Sequence, residues 1–476
     1  MRKKKNRFGL LSIGLAVVLV GSFLVFSFVV GEQRKAAQAT VQKPEAFDTY
    51  KALDQELQNA EAEEASATNN RPRTPKSNDK PSNLKERVTR FQALMTRAQK
   101  IEEERFWKAL YSQGGPSTWT DQRWVSLKDH LRNYVGLLDE MRVLAAGSGP
   151  LYPLDLSKGY DVEPEHLPVV RQFARAFAHR ALLLVRDGQV DEAIEDILTA
   201  AQCGDAVKQE PILASQFARA TCHEYAVHAI TNAFEPGILT SAQIDPLLDW
   251  AASAVDRDAF AAALYGERYV GNQFFDAPMA YESSDKVLSI DNSWERLFFQ
   301  TYSGPLGQSL RDQDQITFVN TTQELMELAR LPYYEAFDEK LRILIELKDS
   351  FLPRISRHLV ADVAWALEDF ARYETTIELM RVGLATENFQ LRQTRYPLDL
   401  DELADAFDGE VPIDPFTGQA FRYAANEDRF TLYSLGRNRR DDRGEHHGYT
   451  KDLVWRAEKR IQALDRIVKR VAATAK

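Results

Sequence analysis

Several side chains in this sequence are of the kinds that hold transition metals or attack carbonyl carbons, and their spacing decides what they can do. His223, Glu224 and His228 stand close together. A metalloprotease helix needs two histidines four apart on one face, whereas a separation of five turns the second by about 140° around the helix. His446 and His447 are adjacent, precede Gly448 and have no cysteine or third histidine beside them. That departs from the spacing of a structural zinc site. Cys203 and Cys222 fall within helical patterns, and no Gly-x-Ser-x-Gly, no Ser-x-x-Lys with its partner motifs and no glycine-rich phosphate loop occurs. Nucleophilic and phosphate chemistry therefore lack their sequence supports. Two carboxylates poised across a cleft leave no sequence signature, so a hydrolase without a recognisable motif is an alternative that spacing does not remove.

The elements that would position such residues begin with a membrane anchor. Phe8 to Val30 are 23 positions without a charge, preceded by Arg2, Lys3, Lys4, Lys5 and Arg7. At about 1.5 Å per residue, a helix of that length crosses a hydrocarbon core of about 30 Å. The basic flank predicts a cytoplasmic N-terminus, a single-pass span and an extracytoplasmic, periplasm-facing remainder. A cleaved signal peptide is the competing reading, with Ala37-Gln38-Ala39 as its site. Against it, the apolar run exceeds the about 7–15 residues of a signal core, and Glu32, Arg34 and Lys35 intervene. Residues 1–35 carry +6, so the −10 of the whole chain becomes −16 for the rest. A remainder that acidic argues against nucleic acid as a partner. An oxidising compartment would allow the two cysteines to pair, but a hairpin turning near Glu210-Pro211 sets them at different depths, and buried free thiols are expected.

At 476 residues, 44% apolar and 27% charged, the chain has material for two or three domains. Residues 36–84 are poor in side chains that can pack and read as a disordered stalk with one frayed helix over Tyr50 to Ala62. The folded part starts near Leu84. Val88, Phe91, Met95, Ala98 and Ile101 recur at helical spacing, as do Trp124, Leu127, Leu131, Tyr134, Leu138 and Met141 beyond Gly114-Gly115-Pro116. This predicts an antiparallel helix pair. From Ala181 to Ala200, alanines at crossing positions flank a turn at Gly188, which resembles a tetratricopeptide unit. Further helices are expected at about 211–234, 242–255, 258–274, 314–331 and 333–350. A long helix from 355 should end before Pro397.

The last quarter holds Tyr396-Pro397, Leu400-Asp401-Glu402-Leu403, Pro412-Ile413-Asp414-Pro415-Phe416-Thr417-Gly418, Phe421-Arg422-Tyr423 and Phe430-Thr431-Leu432-Tyr433-Ser434-Leu435-Gly436. Over about 368 to 455 this order resembles the globular head of the major (G-type) pseudopilins of type II secretion. From about 120 to 455 the chain is similar to families of bacterial envelope proteins with an N-terminal anchor, a helical body and such a head. The resemblance implies a location and an architecture rather than an activity. Gln419 to Ala424 and Arg429 to Leu435 alternate around Ala425-Asn426-Glu427-Asp428 as a hairpin does, and Lys451 to Trp455 offer a third strand. Residues 456–476 follow as a basic amphipathic helix that pseudopilins lack.

In major pseudopilins the segment after Ser-Leu-Gly winds round Ca²⁺, and the resemblance carries that role onto Asn438, Asp441, Asp442 and Asp452. Asparagine stands where that family has its first aspartate, and Arg437, Arg439, Arg440 and Arg443 share the loop. The other reading is a loop without an ion, held by arginine and carboxylate pairs. The expected fold is mainly α: a cytoplasmic tail and transmembrane helix (1–35), the stalk (36–84), a helical-hairpin body (85–350), a small α+β head (351–455) with a long helix and a sheet of two or three antiparallel strands, and the basic helix (456–476). The expected function is an anchored extracytoplasmic scaffold that binds other envelope proteins, without catalysis. A pseudopilin-like component of a secretion or pilus assembly is the main alternative. Against it, Arg7-Phe8-Gly9-Leu10-Leu11 lacks the glutamate of a pilin peptidase site, and more than 300 residues separate span from head.

Overall fold

A computed structural model describes residues 79–455 apart from 102, 113, 235–237, 277–296, 298, 299, 350–354 and 445–450, together with 27, 29–45, 47, 48, 50, 52 and 55. The chain is mainly helical, with one small three-stranded antiparallel sheet near its C-terminus. Most of the expected span, the pair His446-His447 and the basic segment 456–476 lie outside the described residues. No helix among the described residues is long and apolar enough to cross a membrane.

The body opens with α1 (Leu84–Ala98), α2 (Glu104–Tyr111), α3 (Asp121–Leu131) and α4 (Leu137–Ala145). Asn83 caps α1 by accepting from the Glu86 amide at 2.8 Å. Arg87, buried on α1, donates to the carbonyl of Leu144 at 2.8 Å and to that of Ser148 at 2.7 Å. One guanidinium thus satisfies carbonyls left over at the end of α4. The helix expected from Trp124 to Met141 is two helices, because Gly136 at φ +75 breaks the run and leads into α4.

Helices α5 (His166–Arg186), α6 (Val190–Asp205) and α7 (Leu213–Ala233) form successive antiparallel hairpins, with Gly188 at φ +81 in the first turn. Alanines 174, 178, 181, 193 and 200 are buried where the helices cross. A Cβ on Gly204 would stand 2.9 Å from that of Cys222, so this glycine sets how closely α6 and α7 approach. Cys203 and Cys222 are buried and free, at neighbouring levels in that contact. Asp196 is fully buried and pairs with Arg180 at 2.5 Å and Arg142 at 2.5 Å, which ties α4, α5 and α6 together. Helices α8 (Ser241–Ala254), α9 (Arg257–Phe274), α10 (Gln308–Leu328) and α11 (Tyr333–Asp349) complete the body close to the expected ranges.

Helix α12 (Ile355–Gln393) runs through both halves of the apolar interior. Its first half, from Ile355 to Ala371, packs with Phe260, Phe318 and Ile343; its second half, from Tyr373 to Ala385, packs with Phe173, Cys222 and Leu247. Asp314 of α10 starts it, accepting from the Ile355 amide at 3.0 Å and from the Tyr302 hydroxyl at 2.6 Å. A division at residue 350/351 therefore cuts through shared cores. Head residues Leu400, Leu403, Phe421 and Leu432 join one of these cores and Phe416 the other.

The sheet runs β1 (Arg422–Ala425), β2 (Phe430–Ser434), β3 (Leu453–Val454), with Arg422 opposite Tyr433 and Ser434 opposite Leu453. The Asp-Pro-Phe-Thr-Gly turn is built around Asp414, which is 1% exposed. Its carboxylate accepts from the Phe416 amide at 2.9 Å, the Ser434 hydroxyl at 2.9 Å and the Leu435 amide at 3.2 Å. The turn motif and the Ser-Leu-Gly motif are thus one hydrogen-bonded unit. Gly418, at φ +68, leaves room for the Tyr334 ring of α11, which a Cβ would meet at 2.6 Å.

The stalk does not begin at 36. Residues 29–39 are helical, and Arg34 pairs with Asp312 of α10 at 3.0 Å. Phe47 and Tyr50 are buried against Leu154, Leu156, Ile212 and Val270. Two aromatic side chains bury enough apolar area to hold a segment whose average composition is polar.

Candidate functional site

A cavity of about 510 Å³ opens where the head meets the body. Its walls come from α2, α5, α7, α12 and the end of β3, residues that are up to 348 positions apart in sequence. That volume lies in the range of about 300–1,000 Å³ usual for small-molecule sites. Trp107, Tyr111, Tyr225 and Trp455 supply aromatic surface, and Arg175 and Arg372 supply charge.

A chain of hydrogen bonds lines one wall. The Asn232 amide lies 3.2 Å from His228 Nδ1, and His228 Nε2 faces the Tyr111 oxygen at 3.5 Å. Tyr111 donates its own proton to His179 Nε2 at 2.6 Å, and His179 Nδ1 donates to the Arg175 carbonyl at 2.7 Å. The Arg175 carbonyl, which can only accept, sets the tautomer of His179. Burial pushes the His179 pKa down to about 3, against the weaker opposing pull of the Arg175 carbonyl. It is a neutral imidazole at any physiological pH. Burial likewise raises the Tyr111 phenol.

Behind this wall, Glu103 gathers four donors: His130 at 3.0 Å, and Tyr134, Trp107 and Arg175 at short range. The Arg175 guanidinium also lies 4.8 Å from the centre of the Trp107 ring. Hydrogen bonds and the Arg175 charge hold the Glu103 carboxyl below its usual range despite burial. On the facing wall Arg372 donates to Glu224 at 3.1 Å, and burial raises the Glu224 carboxyl. The Thr221 and Thr376 hydroxyls donate to carbonyls one turn back, at 2.8 and 3.0 Å. They turn oxygen lone pairs, not protons, toward other partners.

His223 and His228 face different surroundings. His223 is fully buried and contacts the Tyr373 hydroxyl at 2.8 Å and Asp205 at 3.2 Å, whereas His228 lines the cavity. The separation of five residues divides them between two faces of α7, as the sequence implies.

In the loop after Gly436, Asn438, Asp442 and Asp452 are linked to one another by hydrogen bonds, and Asp441 turns to other partners. Asn438 donates to Asp442 at 2.8 Å and accepts from the Arg440 amide at 2.8 Å. Asp441 accepts from the Arg443 amide at 2.8 Å and from the Tyr433 hydroxyl at 3.2 Å. Asp452 is fully buried and accepts from the Gly444 amide at 2.8 Å and the Asp442 amide at 3.4 Å. Among the described residues no three His, Cys, Asp or Glu side chains gather as a metal site. Ca²⁺ would take six to eight oxygens here, and residues 445–450 of the same loop lie outside the described residues. Two of the loop's arginines instead reach the body: Arg437 pairs with Glu368 and lies 4.4 Å from the Trp365 ring centre, and Arg439 lies 4.4 Å from that of Phe337.

No family model matches the chain, and no curated protein or solved structure matches it. The cavity residues escape a reading by motif because each sits inside an ordinary helical pattern. One local signal exists: Gly383 is the only glycine in α12, and a Cβ there would stand 2.4 Å from the Trp455 ring. It marks the slot through which the head reaches the cavity.

Proposed function

We propose that this chain is a membrane-anchored extracytoplasmic scaffold that binds other envelope proteins, with its pseudopilin-like head as a fixed docking module and without a catalytic step. The observation that supports this most is the enclosure of α12. Body helices α7, α8, α10 and α11 and the head all pack against it; from Val382 to Asn388 it is buried on every side, and on its first half only the stripe through Arg357, Trp365 and Asp369 is exposed. A filament subunit needs the helix before its head free for its neighbours and continuous with its span. This helix offers neither.

A surface for partners lies beside the head. On α11, Leu341 and Ile345 are 44% and 51% exposed and continue a stripe from Phe337 at steps of four residues. Apolar stripes of this kind mark interaction sites. The test is a photocrosslinking amino acid at Leu341 in the full chain in intact cells. A discrete adduct with a second envelope protein, lost with Ile345→Glu, supports the scaffold. A ladder of multiples of this chain favours the pseudopilin-like alternative. A pattern identical to that from a crosslinker at Val135, on α4's entry turn, refutes the assignment of this surface.

A further inference from the structure

We propose that the cavity between head and body binds an organic anion with a flat apolar body, such as an aromatic carboxylate, and that Arg175 takes its charge. This goes beyond the scaffold reading and does not depend on it.

The argument is a count of donors and acceptors. A carboxylate has about four lone-pair sites, and Glu103 already accepts from His130, Tyr134, Trp107 and Arg175. It takes only one nitrogen of Arg175, through Nη2. Arginine carries five N–H donors, and Arg175 Nε is buried without a partner. Elsewhere on the walls, three hydroxyl protons are committed: Tyr111 to His179, Thr221 and Thr376 to backbone carbonyls. The Arg175 end therefore carries a fixed positive charge of which Glu103 uses one nitrogen. Leaving its Nε donor dry is costly, and a bound oxyanion removes that cost.

Arg175 is also pre-organised. The Glu103 pair and the Trp107 face hold its guanidinium in place, so a ligand loses little to ordering it. Tyr111 and Tyr225 line the same cavity as Arg175. Across the cavity Leu379, Leu453 and Trp455 provide apolar surface. A ligand with an oxyanion at one end and a ring at the other matches both ends, whereas a cation would meet Arg175 directly.

The test is calorimetric titration of the full chain in lipid nanodiscs with indole-3-acetate and, separately, with its uncharged amide, empty nanodiscs being subtracted. Saturable binding to one site is expected for the acid, at least tenfold weaker for the amide. Arg175→Gln should bring the acid down to the level of the amide. Because that change also touches Glu103, Thr376→Phe provides an independent arm: it fills the cavity from α12 and should abolish binding of both. Equal affinity for acid and amide, no saturable binding, or unchanged binding by Thr376→Phe would each overturn the proposal.

Discussion

Replacing Gly383 by alanine should have opposite effects depending on whether Trp455 is present. In the interior of a helix, glycine to alanine normally stabilises by about 1 kcal/mol. Here the new Cβ would stand 2.4 Å from Trp455 Nε1 and Cε2 and 2.6 Å from Cδ2, so the ring must move. Trp455 has little freedom to do so: it is 7% exposed and its amide donates to the Leu432 carbonyl at 2.9 Å. Overpacking of this kind costs about 1–3 kcal/mol, so Gly383→Ala alone should be neutral to destabilising by about 2 kcal/mol. Trp455→Ala should cost about 3–5 kcal/mol. With the ring gone the alanine regains its helical advantage, and the double variant should be more stable than Trp455→Ala by about 1 kcal/mol. The coupling between the two sites is then about 1–3 kcal/mol. Urea unfolding of all four proteins, followed by circular dichroism, measures it. If Gly383→Ala has the same effect in both backgrounds, Trp455 does not occupy the slot, and the docking of head to body is wrong.

Protonation should expose the buried histidine. The pKa of His179 falls from 6.5 to about 3 on folding, so below pH 6.5 the unfolded chain binds a proton that the folded chain refuses. Stability is fully present above the unfolded value and declines as pH falls toward the folded one, by at most about 1.4 kcal/mol per unit. Between pH 7.5 and 5 the wild type should lose about 2 kcal/mol more than His179→Gln; parallel profiles would contradict the burial of a neutral imidazole. For the loop after Gly436, melting in millimolar calcium and in chelator should coincide, since its oxygens are used internally. A rise of several degrees in calcium, abolished by Asp452→Ala, would establish the ion site. Mild trypsin should cut first at Arg73 or Lys76, yet the N-terminal piece should stay bound through Phe47 and Tyr50 until denaturant is added. Dissociation without denaturant would mean that those contacts are not formed.

The parts of the fold that follow from local chemistry are legible in the sequence. Periodicity locates α7, α8, α9 and α11 to within a few residues, and the motif from Asp414 to Gly436 anticipates a hairpin closed by its own turn. Tertiary effects are less visible. Nothing local reveals that Gly136 would split a helix by taking φ +75, because glycine permits that conformation without requiring it. The packing of Phe47 and Tyr50 depends on a pocket made by Leu154, Ile212 and Val270, far along the chain. The same holds for the cavity: Glu103, Arg175 and His179 carry no recognisable spacing, and only the crossing of α2, α5 and α7 brings them together. Motifs record turns and caps well; sites shared among helix faces leave only composition behind.

The location of the body and head bears most directly on the scaffold, because every proposed partner lies outside the cytoplasm. Alkaline phosphatase fused after Lys476 reports it, since the enzyme is active only when exported. Activity confined to the membrane fraction is the expected result. An inactive fusion, or an active one released as a soluble form starting near Thr40, would contradict the anchored extracytoplasmic scaffold.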